Sequence, residues 1–318
     1  MFSTKQKILQ GLGDFPRAWA LLLDFIHTAA LSKSNEVSLA ALKSLQEMLQ
    51  AGRISPTAAN SSSSSITTST NSSCPSSPPE YSSNTDLEQA PASLSLPSST
   101  YSPPEDAVAN WNMAWKVWHS IGLEVTKPPP EGVTRGSDAY IPSQPFLTAL
   151  VLIFPHLYQH IKTRFVVSDF TRLSTVFAGC IAVPVHGDSS PFILPSFTEV
   201  VVTPLQEGVL QSLNVIEKEV TEGTTMSRPM VPHLFSLLLQ FSSLSCQAPS
   251  YGNVITRPHN TKGSTDWVTM NFVPFAERSL SMVISLYQTT SSWPEVIEAK
   301  VLKNIIVSIT TALRLVIR

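Results

Sequence analysis

Apolar residues recur at three- and four-residue intervals along most of the chain, the period of helices that bury one face. From about Asp14 to Leu31, Trp19, Leu22, Leu23, Ile26, Ala29 and Ala30 share a broad face, with Asp14 as cap and Pro16 in the first turn. Ser34 or Asn35 caps a second helix, in which Val37, Ala41, Leu42, Leu45, Met48 and Leu49 keep the spacing and Lys43 faces Glu47. Gly52 is expected to stop it. A short turn between the two predicts an antiparallel helical hairpin.

Further on, Pro104-Glu105-Asp106 opens a helix whose Val108, Trp111, Trp115 and Trp118 form one stripe, ending near Gly122. A Pro-rich loop containing Pro128-Pro-Pro leads to a helix from about Gln144 to Lys162, which Pro155 should kink. Asp169 then precedes Phe170, Leu173, Phe177 and Ile181. Thr203 caps the next helix, with Pro204 at its first position, Glu207 nearby, and Leu205, Val209, Leu210, Leu213 and Ile216 along its face. Pro229 to Leu244 reads as another, and the final pair covers about Phe275 to Thr290 and Pro294 to Ile317. Strand-like alternation is confined to Phe197–Val202.

The pattern therefore predicts an all-α chain of roughly nine helices, paired by short turns. Such pairs suggest a HEAT- or armadillo-like α-solenoid, with a compact bundle as the alternative, because the pairs start at uneven intervals. The last helix carries Ile305, Ile306, Ile309, Leu313 and Val316 to the final residues without a stop signal, and the first residues lack a capping unit. The expectation is an internal fragment or short isoform of something longer.

One segment breaks the periodicity. Residues 54–104 are dominated by Ser, Thr, Pro and Asn, with no Lys or Arg and few acids. Too few apolar side chains are available to offset ordering entropy, so a disordered linker is expected between a helical hairpin at 1–53 and a helical repeat region at 105–318. Ser55, Ser77 and Ser102 each precede Pro and would suit proline-directed kinases; an unregulated spacer of this composition would carry the same pairs. Asn60-Ser-Ser and Asn71-Ser-Ser match the glycosylation sequon, but the N-terminus has no secretory signal, and they are read as unmodified.

Composition narrows the chemistry. Only 12 of 318 residues are Gly and no Gly-rich phosphate fingerprint occurs, which argues against Rossmann and P-loop enzymes. Lys+Arg 21 against Asp+Glu 23 leaves a net charge of −2, without the basic field that nucleic acid requires. Cys74, Cys180 and Cys246 are odd in number and widely spaced, consistent with a reducing cytoplasm and with neither a disulfide framework nor a CxxC metal site. Ile141 to Ile161 is uncharged and as long as a membrane span, yet Pro142, Gln144, Pro145, Pro155, His156, Gln159 and His160 favour a buried helix.

Candidate sites are sparse. His156 and His160 have the i, i+4 spacing of two metal ligands, but no acid lies between them and no third ligand is evident, so they read as helix-edge histidines. Gly187-Asp188-Ser189 is followed by Ser190 and Pro191, not by the glycines a protease oxyanion hole needs. Trp111, Trp115 and Trp118 would make either a peptide groove or a core stripe. Lys300, Lys303, Arg314 and Arg318 give the last helix a basic character, read as solvated charge beside a buried face. No cofactor and no catalytic or metal site is expected, and the chain is read as not an enzyme.

The first hairpin carries a resemblance. Phe15-Pro-Arg-Ala-Trp-Ala-Leu-Leu-Leu followed by Ser34-Asn-Glu-Val-Ser-Leu-Ala-Ala-Leu-Lys-Ser-Leu-Gln-Glu-Met-Leu resembles a segment of the Mon-two family shared with large Arf exchange factors, downstream of their catalytic domain. Asn110-Trp-Asn-Met-Ala-Trp-Lys-Val-Trp and the later helices resemble the C-terminal region of the same family. The resemblance implies a peripheral membrane scaffold acting between early endosomes and the trans-Golgi network. It implies Dopey-family scaffolds, a phospholipid flippase and Arf-like GTPases as partners, with membrane association through them. Family members lack the exchange-factor catalytic domain, and no Phe-Arg-x-Pro-Gly-Glu motif occurs in this chain. The coarse helical pattern alone equally allows an adaptor of nuclear transport or a phosphatase scaffold.

Overall fold

The computed structural model describes residues 15–51, 105–128, 142–183, 201–223, 225–247, 249 and 272–316. They form ten α-helices: α1 Phe15–Ala30, α2 Asn35–Ala51, α3 Glu105–Thr126, α4 Gln144–Ile161, α5 Val167–Ala182, α6 Pro204–Glu222, α7 Val231–Ser242, α8 Val273–Thr290, α9 Pro294–Glu298 and α10 Val301–Val316. Short 3₁₀ turns follow α4 and α7 and precede α7.

The helices stand in two rows. α1 packs on α3, α3 on α5, α5 on α7, and α7 on α9 and α10; in the other row α2 packs on α4, α4 on α6 and α6 on α8. Each odd helix up to α7 also packs on the even helix that follows it. A unit that meets its own partner and the equivalent helices of adjoining units is the repeat of an α-solenoid, not of a closed bundle. One continuous core runs through it, from Trp19, Leu23 and Ile26 to Leu286, Val296 and Val301.

Local chemistry sets the boundaries. At α6, Thr203 Oγ1 accepts the Gln206 N–H at 3.2 Å and Gln206 Oε1 accepts the Thr203 N–H at 3.0 Å, a reciprocal capping box. At α4, Ser143 Oγ accepts the Phe146 N–H at 3.4 Å. Pro155 lies inside α4 and has no N–H to give the carbonyl of Val151 one turn earlier. The buried Ser212 hydroxyl of α6 donates to that carbonyl at 3.4 Å, so a proline defect in one helix is answered from its neighbour in the row.

Three expectations change. Gly122 does not end α3, which continues to Thr126. Its missing side chain instead admits α5: a Cβ there would lie 2.6 Å from Val176 Cγ1, while a Cβ at Gly179 would lie 2.7 Å from Thr126 Oγ1. The final helix is two, because Lys300 adopts φ 53° between α9 and α10. No glycine marks this left-handed turn; the Lys300 N–H donates to Ile297 O at 3.0 Å, and Lys300 O accepts the Asn304 N–H at 3.2 Å. The predicted Pro229–Leu244 helix resolves into a 3₁₀ turn at Thr225–Met230, α7, and a second 3₁₀ turn at Ser243–Ser245. Val201 and Val202 have no regular structure, and the rest of the alternating stretch lies outside the described residues.

Candidate functional site

The tryptophan stripe sits where the first hairpin, the second hairpin and α5 converge. Trp118 is fully buried, and its indole N–H donates to Leu150 O of α4 at 2.8 Å. Trp115, also buried, stacks on Trp118 with ring centroids 5.3 Å apart and donates to Asp169 Oδ1 of α5 at 3.2 Å. Phe154 and Phe165 close round it, at 6.1 and 5.6 Å. Trp111 is the partly exposed member. It meets Trp19 of α1 edge to face at 5.2 Å and stacks on His160 of α4 at 4.1 Å. As folded, Trp115 and Trp118 fill the interior, and Trp111 is the member of the stripe that keeps partial exposure.

The two histidines serve the same junction. His160 Nε2 lies 3.0 Å from Leu49 O at the end of α2; a carbonyl only accepts, so this nitrogen carries the proton and donates. His156 Nε2 lies 3.4 Å from Gln50 Nε2. Both rings tie α4 to α2. Among the described residues, no three His, Cys, Asp or Glu side chains gather as a metal site.

Asp169 matters more than its sequence context suggested. Besides the Trp115 indole, it accepts the Val166 N–H at 3.3 Å, capping the start of α5, and Arg172 at 3.3 Å. Nearby His119 has its pKa lowered, chiefly by burial and then by the Arg172 charge, against the pull of Asp169. Position three of a helix was the available signal for Asp169. Nothing local announces that an indole from another helix would reach it.

A groove of about 420 Å³ between α6 and α8 had no sequence signature, because its walls come from distant segments. Glu207 accepts from both terminal guanidinium nitrogens, Nη1 and Nη2, of Arg278 at one end. That hydrogen bonding, with help from Gln211, holds the Glu207 carboxyl below its ordinary pKa against a smaller burial effect. Glu217, at the other side, is pushed up by burial. Leu210, Gln211, Asn214 and Met282 complete the lining, so the groove offers polar contacts without a strong net charge. In the interior, the Tyr158 hydroxyl has no hydrogen-bond partner among the described residues, and its pKa is driven up, first by burial and then by Glu219.

The remaining candidates separate by location. Ser55, Ser77, Ser102, Asn60, Asn71, Cys74, Gly187-Asp188-Ser189 and Arg318 lie outside the described residues. Cys180 is buried and its thiol is pushed up to about 12 by desolvation, while Cys246 is half-buried beside Ser245. Lys300, Lys303 and Arg314 are exposed. The uncharged stretch weighed as a membrane span forms α4, whose Phe146, Leu147, Leu150, Ile153, Phe154 and Leu157 are buried in the stack. Among the described residues, no helix is long and apolar enough to cross a membrane.

Comparison with known proteins gives a consistent result. A family model described as the C-terminal region of Mon2 protein matches residues 1–318. A protein named "Protein MON2 homolog" from Xenopus laevis is 43% identical over 344 residues, covering 99% of this chain and 19% of that protein. The protein of the same name from Homo sapiens is 42% identical, with the same coverage, and that from Drosophila melanogaster is 34% identical over 98% of this chain and 18% of its own length. The chain thus spans about a fifth of the length of these relatives. No solved structure matches.

Proposed function

The chain belongs to the Mon2 family, and from that premise we propose that it is a non-catalytic scaffold of vesicle-mediated transport between endosomes and the trans-Golgi network. The observation that carries this reading is the two-row stack of helical hairpins. Its walls are long, continuous surfaces of the kind that repeat proteins use to hold partners. Trp111, partly exposed and in contact with Trp19 and His160, is the aromatic anchor best placed on such a surface. Dopey-family scaffolds, a phospholipid flippase and Arf-like GTPases are the proposed partners, and they bring the chain to early endosome and trans-Golgi membranes from the cytoplasmic side.

Affinity capture from cells tests the proposal. Recovery of Dopey-family and endosomal proteins, reduced by Trp111→Ala, is the expected result. Recovery of karyopherin cargo or phosphatase subunits, with neither Dopey nor endosomal proteins, would replace it with an adaptor of another pathway. Robust turnover in a hydrolase screen would overturn the non-catalytic assignment.

A further inference from the structure

The groove between α6 and α8 is a trough with two unlike ends. One wall is the stripe of α6 from Glu207 to Glu217 and the other is the stripe of α8 from Arg278 to Ser285. Ten helical positions separate Glu207 from Glu217, so the trough runs for about 15 Å. At its first end Arg278 is spent on Glu207, and neither charge is left for a ligand. At the other end the half-buried Glu217 carboxylate makes no hydrogen bond and no ion pair among the described residues. Its sequence neighbour Lys218 pairs with Glu222, and Lys162 pairs with Glu219. Burial alone raises the Glu217 pKa, and no cation opposes it.

This arrangement discriminates between ligand classes. An anion would meet the Glu217 charge with no cation to offset it, since Arg278 is already paired. A purely apolar ligand would strip the remaining water from Glu217 and give nothing back. A divalent cation needs several oxygen ligands, and among the described residues no such cluster gathers. A Lys or Arg side chain answers both parts of the trough: its methylene stem can lie along Leu210 and Met282 while its head pairs with Glu217. The exposed amide of Asn214 makes no hydrogen bond among the described residues and offers both a donor and an acceptor, which is what a peptide backbone requires. An extended segment of about four or five residues, at about 3.3 Å each, matches the length.

We propose that the trough between α6 and α8 is a docking site for an extended basic segment of a partner protein, whose Lys or Arg side chain pairs with Glu217 while its backbone meets Asn214. The site lies on other helices than Trp111 and depends on no particular transport step.

The test uses the 318-residue chain with its methionine methyl groups labelled with carbon-13, the Met282 signal being assigned by its loss in Met282→Leu. The probes are pentapeptides capped at both ends, Ala-Ala-X-Ala-Ala, with Arg, Lys, Gln or Glu at X. The Arg and Lys peptides are expected to shift the Met282 methyl signal saturably with millimolar affinity, about fivefold or more tighter than the Gln peptide, and the Glu peptide to leave it unmoved. Glu217→Gln, which is nearly isosteric and breaks no bond, should erase the preference for Arg and Lys. Glu222→Gln removes the same charge from an exposed position outside the groove and should keep it. The proposal is overturned if no peptide gives a saturable shift, if the Gln peptide binds as well as the Arg peptide, or if the preference survives Glu217→Gln. Equal loss in Glu222→Gln would also overturn it, by reducing the effect to net charge. So would N-acetyl-arginine amide binding as tightly as the Arg pentapeptide, because the trough would then hold a small cation and not a chain segment.

Discussion

The indole N–H of Trp19 donates to the backbone carbonyl of Asn110 at 2.9 Å, across 91 positions of sequence. This bond fastens α1 to α3 and makes the first hairpin part of the same stack as the second. Trp19→Phe keeps an aromatic ring in the buried site but removes both the donor and part of the indole's volume. The expected cost is about 1–3 kcal/mol, read as a fall of several degrees in melting temperature.

Within the tryptophan stripe, burial predicts a gradient. Trp118→Ala and Trp115→Ala empty interior volume and should each cost about 3–5 kcal/mol in chemical denaturation. Trp111→Ala, at the partly exposed edge, should cost clearly less. A Trp111→Ala loss as large as that of Trp118→Ala would show that the edge is packed as tightly as the core.

Gly122→Ala places helix propensity against packing. Alanine favours an exposed helix interior by about 1 kcal/mol. Here the new methyl group meets both γ-carbons of Val176, at 2.6 and 2.8 Å, and its Cβ at 3.3 Å, and a β-branched side chain has little freedom to yield. Net destabilisation of about 1–3 kcal/mol is expected in urea titration. A companion Val176→Ala substitution should recover part of it.

Glu207 and Glu217 respond to acid in opposite senses. The lowered pKa of Glu207 means that its pairing with Arg278 stabilises the fold above the ordinary carboxylate value of 4.5 and is lost as pH falls through the folded value. The raised pKa of Glu217 means the reverse: its buried charge burdens the fold at neutral pH, and the burden lifts as pH falls through its folded value. Glu207→Gln should therefore lower the melting temperature at pH 7, and Glu217→Gln should raise it. Both differences should shrink toward pH 3.

Tyr158→Phe removes a buried hydroxyl that has no partner among the described residues. The expected outcome is unchanged or slightly higher stability, within about 1 kcal/mol, because no hydrogen bond is broken and an unpaid desolvation disappears. A marked loss in the same titration would mean that the hydroxyl is bonded in solution.

Periodicity and caps made most of the fold legible. The hairpin of α1 and α2, the start of α4 at Gln144 and the Thr203 cap of α6 follow from local chemistry that a short window contains. The errors arose where tertiary contact decides. Gly122 looked like a helix end because its other use, admitting Val176, depends on a helix that begins 45 positions later. Lys300 breaks a continuous apolar pattern with a conformation that its side chain does not advertise. The stripe of tryptophans was visible as a stripe, but only packing shows which ring is the outer one. The groove of Glu207 and Arg278 was illegible for the same reason, since 71 residues part its walls.

The joint between the first two hairpins has a practical corollary. Because α1 rests on α3 and α2 rests on α4, the end of α2 at Ala51 and the start of α3 at Glu105 belong to adjoining repeats. Doubling the length of such a connection costs only about 0.6 kcal/mol of closure entropy. That position is accordingly a natural port for genetic cargo: a fluorescent protein or a protease site could be spliced there, and the flanking hairpins would still find each other.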